Sequence, residues 1–300
     1  MLQAPTSWVL SDGKAGDELQ CLAVTDALGL TPEIRRVRPR APWRWFMPHG
    51  PIDPAERPDA PGSPLALPFP DLVIASGRRA VPSLRHVKRA SGGRTFTVYL
   101  KDPRAGASVA DLVWVPEYDR LRGPNVFVTL TSPHRLSAAR LAAAWERPDP
   151  RLADLSRPRV AVLVGGDSRH HRFTEEDIAR FTRGLAELAA AGAGLMITTS
   201  RRTPPSLRLS LAGLARHSGV FLWDGTGENP YVPMLAAADY VVVTADSFNM
   251  VGEAAATGSP VLVFEPSGGH PKLRRFLARL QAAGVVHAFQ GRLEGSRYEP

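Results

Sequence analysis

Short apolar runs with little charge recur along the chain, and segments with helical spacing of apolar residues lie between them. The runs at residues 240–243 and 261–264 lack the alternation of a strand with one solvated face, so they predict strands buried on both sides of a parallel sheet. Strands are predicted at residues 7–10, 32–37, 71–75, 95–100, 111–115, 126–130, 159–164, 194–198, 219–223, 240–243 and 261–264. The regular alternation of strand and helix predicts an α/β fold built from Rossmann-like, doubly wound units.

The chain length and one proline-rich segment predict two domains. Three hundred residues exceed one ordinary hydrophobic core. Residues 147–158 are polar and rich in proline, which is typical of a linker. We therefore expect a first domain at residues 1–150, a second at residues 158–290 and a loose tail at residues 291–300.

Residues 240–266 are predicted to form one strand–helix–strand unit, with the helix at residues 248–257 ended by Gly258. The start of such a helix faces the ligand crevice and binds anions through its free amides. The predicted contacts there are Ser247, Phe248, Asn249 and Met250. Glu253 lies on the same helix face as Asn249. It is placed either to accept hydrogen bonds from ribose hydroxyls or simply to meet solvent.

The segment from Glu253 to Pro260, EAAATGSP, resembles the donor-nucleotide motif of GT-B glycosyltransferases, in particular the bacterial enzyme that adds N-acetylglucosamine to lipid I. More narrowly, the chain resembles the mitochondrial-fission-protein-like family, whose bacterial members are described as glycosyltransferases. That resemblance spans residues 8–289, through the segments WVLSDGKAGDELQ, DLVIASGRRAVP, VLVGGDSRHHRF, ENPY and VVVTADSFNMVGEAAATGSPV. It implies two Rossmann-like domains that face each other across a cleft, with Glu253 on the donor ribose.

The resemblance also implies roles for other loops. The loop at residues 11–17 corresponds to the acceptor loop, with Asp17 as candidate base and Glu18 beside it. Relatives often have a histidine where Asp17 stands, and the alternative is a carboxylate that only stabilises the start of a helix. Asn229 and Tyr231 fall where GT-B proteins line the base pocket.

Further candidates come from the residues themselves. Gly166 and Ser168 follow a strand in a long loop, which predicts either a diphosphate contact or a tight turn, and Arg201 is placed to neutralise a phosphate. Gly77 with Arg78 and Arg79 at a helix start is either another anion site or a loop with ordinary surface arginines. Additional acid–base candidates, each of which has a structural role as its alternative, are Asp102, Glu117 and His134. The adjacent His170 and His171 have no apparent third ligand, so we expect no metal site there.

The net charge of +8 predicts an anionic partner, which leaves nucleic acid, anionic lipid and phosphorylated substrates open. Residues 35–47, from Arg35 to Met47, interleave arginines with tryptophans, which favours an anionic membrane surface. A packed loop and nucleic-acid stacking are the alternatives, and we expect no nucleic-acid partner. With the lone Cys21, no long apolar window and no basic leader, we expect a cytoplasmic protein that lies peripherally on the inner membrane.

Two functions follow as hypotheses. The first is a glycosyltransferase that moves a sugar from a nucleotide-diphosphate donor to a cell-envelope, lipid-linked or lipopolysaccharide-type acceptor, with no metal and no cofactor beyond the nucleotide sugar. The absence of a D-x-D pair fits that expectation. The second is a non-catalytic, membrane-associated adaptor, as the fission relatives suggest. An NAD-dependent epimerase or dehydrogenase is disfavoured because no G-x-G-x-x-G motif is present.

Overall fold

The structure is a computed structural model that describes residues 5–300. Residues 1–4 lie outside the described residues. The predicted first domain and the segment in which we noted no basic leader both begin there. The chain divides into two compact units, Met1–Arg135 and Leu136–Pro300. This division falls before the helix at residues 138–146, which the sequence assigned to the first domain, whereas the predicted linker at residues 147–158 comes after it.

The first unit is built on a six-stranded parallel sheet with the strand order β2-β1-β3-β4-β5-β6. Its strands are β1 (Ser7–Ser11), β2 (Glu33–Arg36), β3 (Leu72–Ser76), β4 (Phe96–Leu100), β5 (Leu112–Pro116) and β6 (Val126–Thr129). Its helices are α1 (Ala15–Ala27) and α2 (Ala80–Ala90). The central strand β1 is buried along its whole length, as its apolar run predicts.

Residues 37–70 of this unit contain two short 3-10 helices, Trp43–Trp45 and Pro54–Glu56. This segment packs on the sheet, since Val37 and Leu65 have no exposed surface and belong to the same core cluster as Trp8 and Val73. Asp53 is also fully buried and accepts hydrogen bonds from the backbone and the guanidinium of Arg40. Residues 37–70 are therefore a structured part of the unit.

The second unit holds another six-stranded parallel sheet, ordered β10-β9-β7-β11-β12-β14, and a short antiparallel pair. Its strands are β7 (Arg159–Val164), β8 (His171–Arg172), β9 (Gly194–Thr199), β10 (Val220–Leu222), β11 (Tyr240–Thr244), β12 (Val261–Phe264), β13 (Ser267–Gly268) and β14 (Val286–Ala288). Its helices are α3 (Ala138–Glu146), α4 (Glu175–Ala190), α5 (Pro205–Leu214), α6 (Tyr231–Ala237), α7 (Phe248–Ala255) and α8 (Pro271–Ala282). The α/β fold class with two Rossmann-like sheets is confirmed.

Local sequence signals explain where several of these helices begin. The side chain of Thr174 accepts a hydrogen bond from the Asp177 amide, and the Asp177 carboxylate accepts one from the Thr174 amide, which forms a capping box at the start of α4. Ser247 caps α7 by accepting a hydrogen bond from the Met250 amide. The strand–helix–strand unit formed by β11, α7 and β12 is confirmed, since β11 and β12 pair in parallel.

The last ten residues pack against the second unit and do not form the loose tail expected from the sequence. The Tyr298 amide donates a hydrogen bond to the Gly258 carbonyl, and the Tyr298 hydroxyl donates one to the Ala255 carbonyl at the end of α7. Leu293 packs against the main core cluster of the unit. These contacts satisfy carbonyl groups that a helix end leaves free.

Candidate functional site

In the second unit, a buried carboxylate joins the carboxyl ends of β7, β9 and β11. The side chain of Asp246 has no exposed surface. It accepts hydrogen bonds from the Thr244 hydroxyl at 2.7 Å, the Gly166 amide at 3.1 Å and the Arg202 guanidinium at 2.8 Å. We call this set the Asp246 clamp. Sequence reasoning showed only a polar residue after a strand, because Gly166 and Arg202 are distant from Asp246 in the chain.

The clamp changes the interpretation of the glycines in the loop that follows β7. A Cβ atom on Gly165 would collide with the Asp246 carboxylate, and one on Gly166 would collide with the backbone at Arg202. The groups that approach these two glycines closely therefore belong to the protein itself. The Gly166 amide donates to Asp246, so it is not free for the predicted diphosphate contact.

The other predicted phosphate contacts of this unit differ in how they are used. The Ser168 hydroxyl accepts hydrogen bonds from the amides of His170 and His171, so it closes a turn. Arg201 is exposed and forms no hydrogen bond or ion pair with any residue in the described range 5–300, whereas its neighbour Arg202 belongs to the clamp. Arg201 stays available to a ligand.

The start of α7 is half-buried, and it presents the residues that the sequence singled out. Phe248 stacks on Phe276 of α8, with ring centroids 5.6 Å apart and an interplanar angle of 29°. Asn249 and Met250 are also half-buried in the first turn. The stacking fixes the first residue of the helix against a neighbouring helix, so the first-turn amides have a defined direction.

Glu253 and Tyr231, both predicted site residues, are in direct contact. The Tyr231 hydroxyl donates a hydrogen bond of 2.5 Å to Glu253 Oε2. Burial raises the pKa of the Glu253 carboxyl, an effect that the Tyr231 hydrogen bond and the charge of Arg140 oppose. Burial and the neighbouring carboxylate raise the pKa of Tyr231 well above its ordinary value. Tyr231 therefore holds one carboxylate oxygen in place and leaves Oε1 for another donor.

Asn229 acts on this pair through the backbone. Its side-chain oxygen accepts a hydrogen bond of 3.0 Å from the Tyr231 amide. This contact ties the loop before α6 to the residue that orients Glu253. The sequence placed Asn229 in the base pocket, and the structure shows it as a residue that positions Tyr231.

In the first unit, a pocket of about 640 Å³ lies at the carboxyl ends of β1, β3 and β4. Asp17 lines it, and its Oδ1 accepts a hydrogen bond of 2.5 Å from the Lys101 ammonium. Asp102, one of the additional acid–base candidates, lines the same pocket. Lys101 and Arg104, the non-glycine residues with left-handed φ among residues 5–300, both lie in its wall, with φ of 76° and 57°. Such conformations cost energy and cluster at ligand sites.

Glu18 does not share that pocket's chemistry. Its carboxylate accepts two hydrogen bonds from the Arg36 guanidinium, at 2.6 and 2.9 Å, and one from the Ser11 hydroxyl at 2.6 Å. The Arg36 hydrogen bonds lower the pKa of Glu18 against the opposing effect of burial. Glu18 joins α1 to β1 and β2, so its carboxylate is engaged in contacts within the unit, and its catalytic role stays a prediction.

The remaining sequence candidates fall outside these two sites. His134 lines a separate hollow beside α1 and Trp114. The His170 ring packs on that of His270 with centroids 4.5 Å apart, and His171 is buried. Within residues 5–300, no group of three or more His, Cys, Asp or Glu side chains is arranged to hold a metal ion.

The arginine and tryptophan run at residues 35–47 is largely a packed segment. The Arg35 guanidinium lies 3.8 Å from the centre of the Trp8 ring and donates to the carbonyls of Pro64 and Ala66. Met47 is buried, so it does not contribute to a membrane surface. Trp45 and Phe46 remain exposed, at 68% and 59%. In the described range, no helix has the length and apolar character needed to cross a bilayer.

The two parallel sheets and the loop sites at their carboxyl ends define a protein of the GT-B fold. The chain superposes on UDP-GlcNAc 2-epimerase from Neisseria meningitidis bound to UDP-GlcNAc with a TM-score of 0.52 and 13% identity, covering 97% of this chain and 88% of that one. It superposes on MurG from Acinetobacter baumannii with a TM-score of 0.53 and 14% identity, covering 96% and 86%. At these identities the similarity shows the fold alone.

The chain belongs to the mitochondrial fission ELM1 family, whose model matches residues 15–300. It is 29% identical over 249 residues to mitochondrial fission protein ELM1 of Arabidopsis thaliana, covering 74% of this chain and 58% of that protein. It is 31% identical over 150 residues to the uncharacterized protein RP120 of Rickettsia prowazekii (strain Madrid E), covering 47% and 42%. The chain thus spans about half the length of the curated relatives it matches.

Proposed function

We propose that this protein is a glycosyltransferase that takes a sugar from a nucleotide-diphosphate donor held by the second unit. The observation that carries the proposal is the Glu253 carboxylate, half-buried one turn beyond the start of α7 and oriented by Tyr231. Partial burial of an ionisable group costs free energy, and a donor that hydrogen-bonds to Oε1 would offset that cost. A ribose hydroxyl is such a donor.

The leaving diphosphate requires compensation of its charge, and the second unit offers this without a metal. The half-buried amides at the start of α7 carry the positive end of the helix dipole. Arg201, exposed and without an ion pair to a described residue, supplies a mobile cation. Preorganised donors and cations of this kind stabilise developing charge in a transition state.

The acceptor hydroxyl binds in the pocket of the first unit, and Asp17 is the proposed base. Lys101 occupies Oδ1 of Asp17, and Oδ2 remains to accept the proton of an acceptor hydroxyl. We propose a cell-envelope or lipid-linked acceptor, on the resemblance of the Glu253 to Pro260 motif to enzymes of that class. Exposed Trp45 and Phe46 support peripheral contact with a membrane, where such an acceptor would be found.

The test is calorimetric titration of the full chain with UDP, GDP and their sugars. Glu253→Gln removes the charge of the acceptor atom for the ribose hydroxyl, and we expect it to weaken binding of the preferred nucleotide by about 10- to 100-fold. Tyr231→Phe keeps the Glu253 carboxylate but removes the hydrogen bond that orients it, so we expect a smaller loss of nucleotide affinity. Glu176→Gln, on the exposed face of α4, is the matched control. Absence of any nucleotide binding would refute the transferase proposal.

Two observations support other functions. The Arabidopsis relative is named as a mitochondrial fission protein, which supports an adaptor that binds partners and no nucleotide. The fold is also that of a UDP-GlcNAc 2-epimerase bound to UDP-GlcNAc. The missing dinucleotide motif therefore argues only against an NAD-dependent epimerase. Incubation with UDP-GlcNAc separates these functions: an isomerised sugar indicates an epimerase, and release of UDP only when an acceptor is present indicates a transferase.

A further inference from the structure

The pocket of the first unit has a charge pattern that the proposed transfer of a sugar does not require. Its lining contains the cations Lys14, Arg78, Arg79, Lys101 and Arg104 and the carboxylates Asp12, Asp17 and Asp102. Lys14 pairs with Asp12 at 2.9 Å, and Lys101 pairs with Asp17. Asp102 offsets one of the three arginines, so two positive charges remain in the pocket.

Those positive charges are carried by guanidinium groups that are not otherwise used. The side chains of Arg78, Arg79 and Arg104 form no hydrogen bond or ion pair with a residue in the described part of the chain, and all three residues are exposed. Guanidinium groups bind phosphate oxygens through paired hydrogen bonds. A surplus of two positive charges matches a phosphate monoester, which carries about −1.5 to −2 at neutral pH.

The backbone around the pocket adds positive potential for the same anion. Both α1 and α2 begin at this pocket, and neither has a side-chain cap, a feature that α5 and α6 share. The Asp17 and Ala80 amides already bond to the carbonyls of Lys14 and Gly77, and Pro82 has no amide hydrogen, so the two helix starts act on the anion mainly through the positive ends of their dipoles. Gly77, which precedes α2, has φ of 95°, and a Cβ there would lie 2.7 Å from the Asp12 carboxylate. The turn that exposes α2 to the pocket therefore depends on glycine.

The carboxylates indicate what else the ligand carries. The Asp12 side chain is only 3% exposed, and its Oδ1 has no hydrogen-bond partner. A buried carboxylate oxygen without a donor is costly, and a ligand hydroxyl or a water that it binds would satisfy it. Asp12, Asp17 and Asp102 would repel a second phosphate group but would accept hydrogen bonds from several hydroxyls.

We propose that this pocket binds a monophosphorylated sugar or polyol, with the phosphate on Arg78, Arg79 and Arg104 and the hydroxyl groups on the aspartates. The phosphate site stands on the geometry of the first unit alone. Its assignment as the acceptor of the reaction, with a free hydroxyl directed to Asp17, rests on the proposed function.

The experiment is titration of the full chain with glucose 1-phosphate, inorganic phosphate and glucose at constant ionic strength. We expect glucose 1-phosphate to bind about tenfold more tightly than inorganic phosphate, and glucose not to bind. Arg78→Ala combined with Arg79→Ala should weaken binding of the sugar phosphate by more than tenfold. Arg85→Ala combined with Arg89→Ala, on the same helix but outside the pocket, should leave it unchanged. Asp12→Asn should bring the affinity for the sugar phosphate close to that for phosphate.

Equal affinity for phosphate and sugar phosphate would overturn the hydroxyl assignment, and binding that survives the Arg78 and Arg79 substitutions would overturn the phosphate site. Titration with UDP in the presence of saturating glucose 1-phosphate separates this proposal from the donor site. If sugar phosphate binds and UDP does not, the proposed function fails while this site stands. If UDP binds in a Glu253-dependent way and sugar phosphate does not bind, the donor site stands and this proposal fails. If UDP competes with sugar phosphate, the pocket is a nucleotide site and this proposal is wrong.

Discussion

Arg201 and Arg202 are adjacent arginines with opposite predicted roles, and this contrast provides a sharp test of the second unit. Arg202→Ala leaves the buried Asp246 carboxylate without its counter-charge and removes hydrogen bonds to the carbonyls of Asp167 and Gly166. Breaking a fully buried ion pair costs about 3–5 kcal/mol. The Arg202 side chain is 45% exposed and Thr244 still donates to the carboxylate. We therefore expect a loss of about 2 kcal/mol in the free energy of unfolding, because water screens the pair.

Arg201→Ala is the matched control for stability. Its exposed side chain has no partner within residues 5–300, so we expect its effect on the free energy of unfolding to stay within about 0.5 kcal/mol. Its effect on ligand binding should be the larger one, because Arg201 is the proposed cation for the donor diphosphate. We expect nucleotide-diphosphate affinity to fall about tenfold or more, as for loss of a charge-assisted hydrogen bond.

The assay is urea unfolding followed by tryptophan fluorescence and circular dichroism, together with calorimetric titration of UDP for both variants. The two units are distinct, so each transition is fitted separately when the two probes do not coincide. If Arg202→Ala unfolds at the same urea concentration as the unmodified protein, the clamp does not hold these strand ends together. If Arg201→Ala binds nucleotide normally, the diphosphate contact is elsewhere.

Three further changes test the remaining contacts. Burial would raise the pKa of Asp177, but hydrogen bonds from Ser267, Arg180 and Thr174 lower it to about 2. Asp177→Asn should therefore lower the free energy of unfolding by about 2 kcal/mol at pH 7. This difference is present above pH 3.8 and disappears as the pH falls toward 2, which urea unfolding across that range would measure. Glu253→Gln should raise the melting temperature, and the increase should be larger at pH 8 than at pH 5. Burial raises the folded-state pKa of Glu253, so the ionised carboxylate destabilises the fold as the pH rises through that value. An unchanged melting temperature at pH 8 would contradict this. Gly77→Ala should lower stability by about 1–3 kcal/mol and abolish sugar-phosphate binding, since φ of 95° disfavours a side chain and the Cβ meets Asp12; unchanged binding would show that the turn is not needed.

Features encoded by neighbouring residues were predicted well from the sequence. The helix α2 begins at Ala80, directly after the predicted helix start at Gly77, Arg78 and Arg79, and α7 begins at Phe248 as predicted. Both depend on interactions within one or two turns, where spacing determines which groups meet. The contact between Tyr231 and Glu253 was not predicted, although each residue was selected, because it joins residues on different helices.

The sequence did not reveal contacts that depend on the order of the strands in the sheet. Glu18 was assigned to catalysis because the family resemblance places a candidate base in the loop beside it, and only the pairing of β1 with β2 brings Arg36 onto its carboxylate. Gly166 was assigned to a phosphate because glycine allows close approach, and the structure shows that the approaching group is the protein itself. The helix α3 was grouped with the first domain by the proline-rich segment after it, but it packs on α6 of the second unit.

The order of the strands in the second sheet has a consequence for synthesis of the chain. β7 pairs with β9 on one side and with β11 on the other, and Val162 meets Val242 only after 80 further residues. During translation, one edge of the apolar strand β7 therefore stays unpaired until β11 has left the ribosome. This half-made sheet is a surface for non-native strand pairing, so cellular yield should depend on how quickly residues 200–245 are translated and on chaperones that cover that edge.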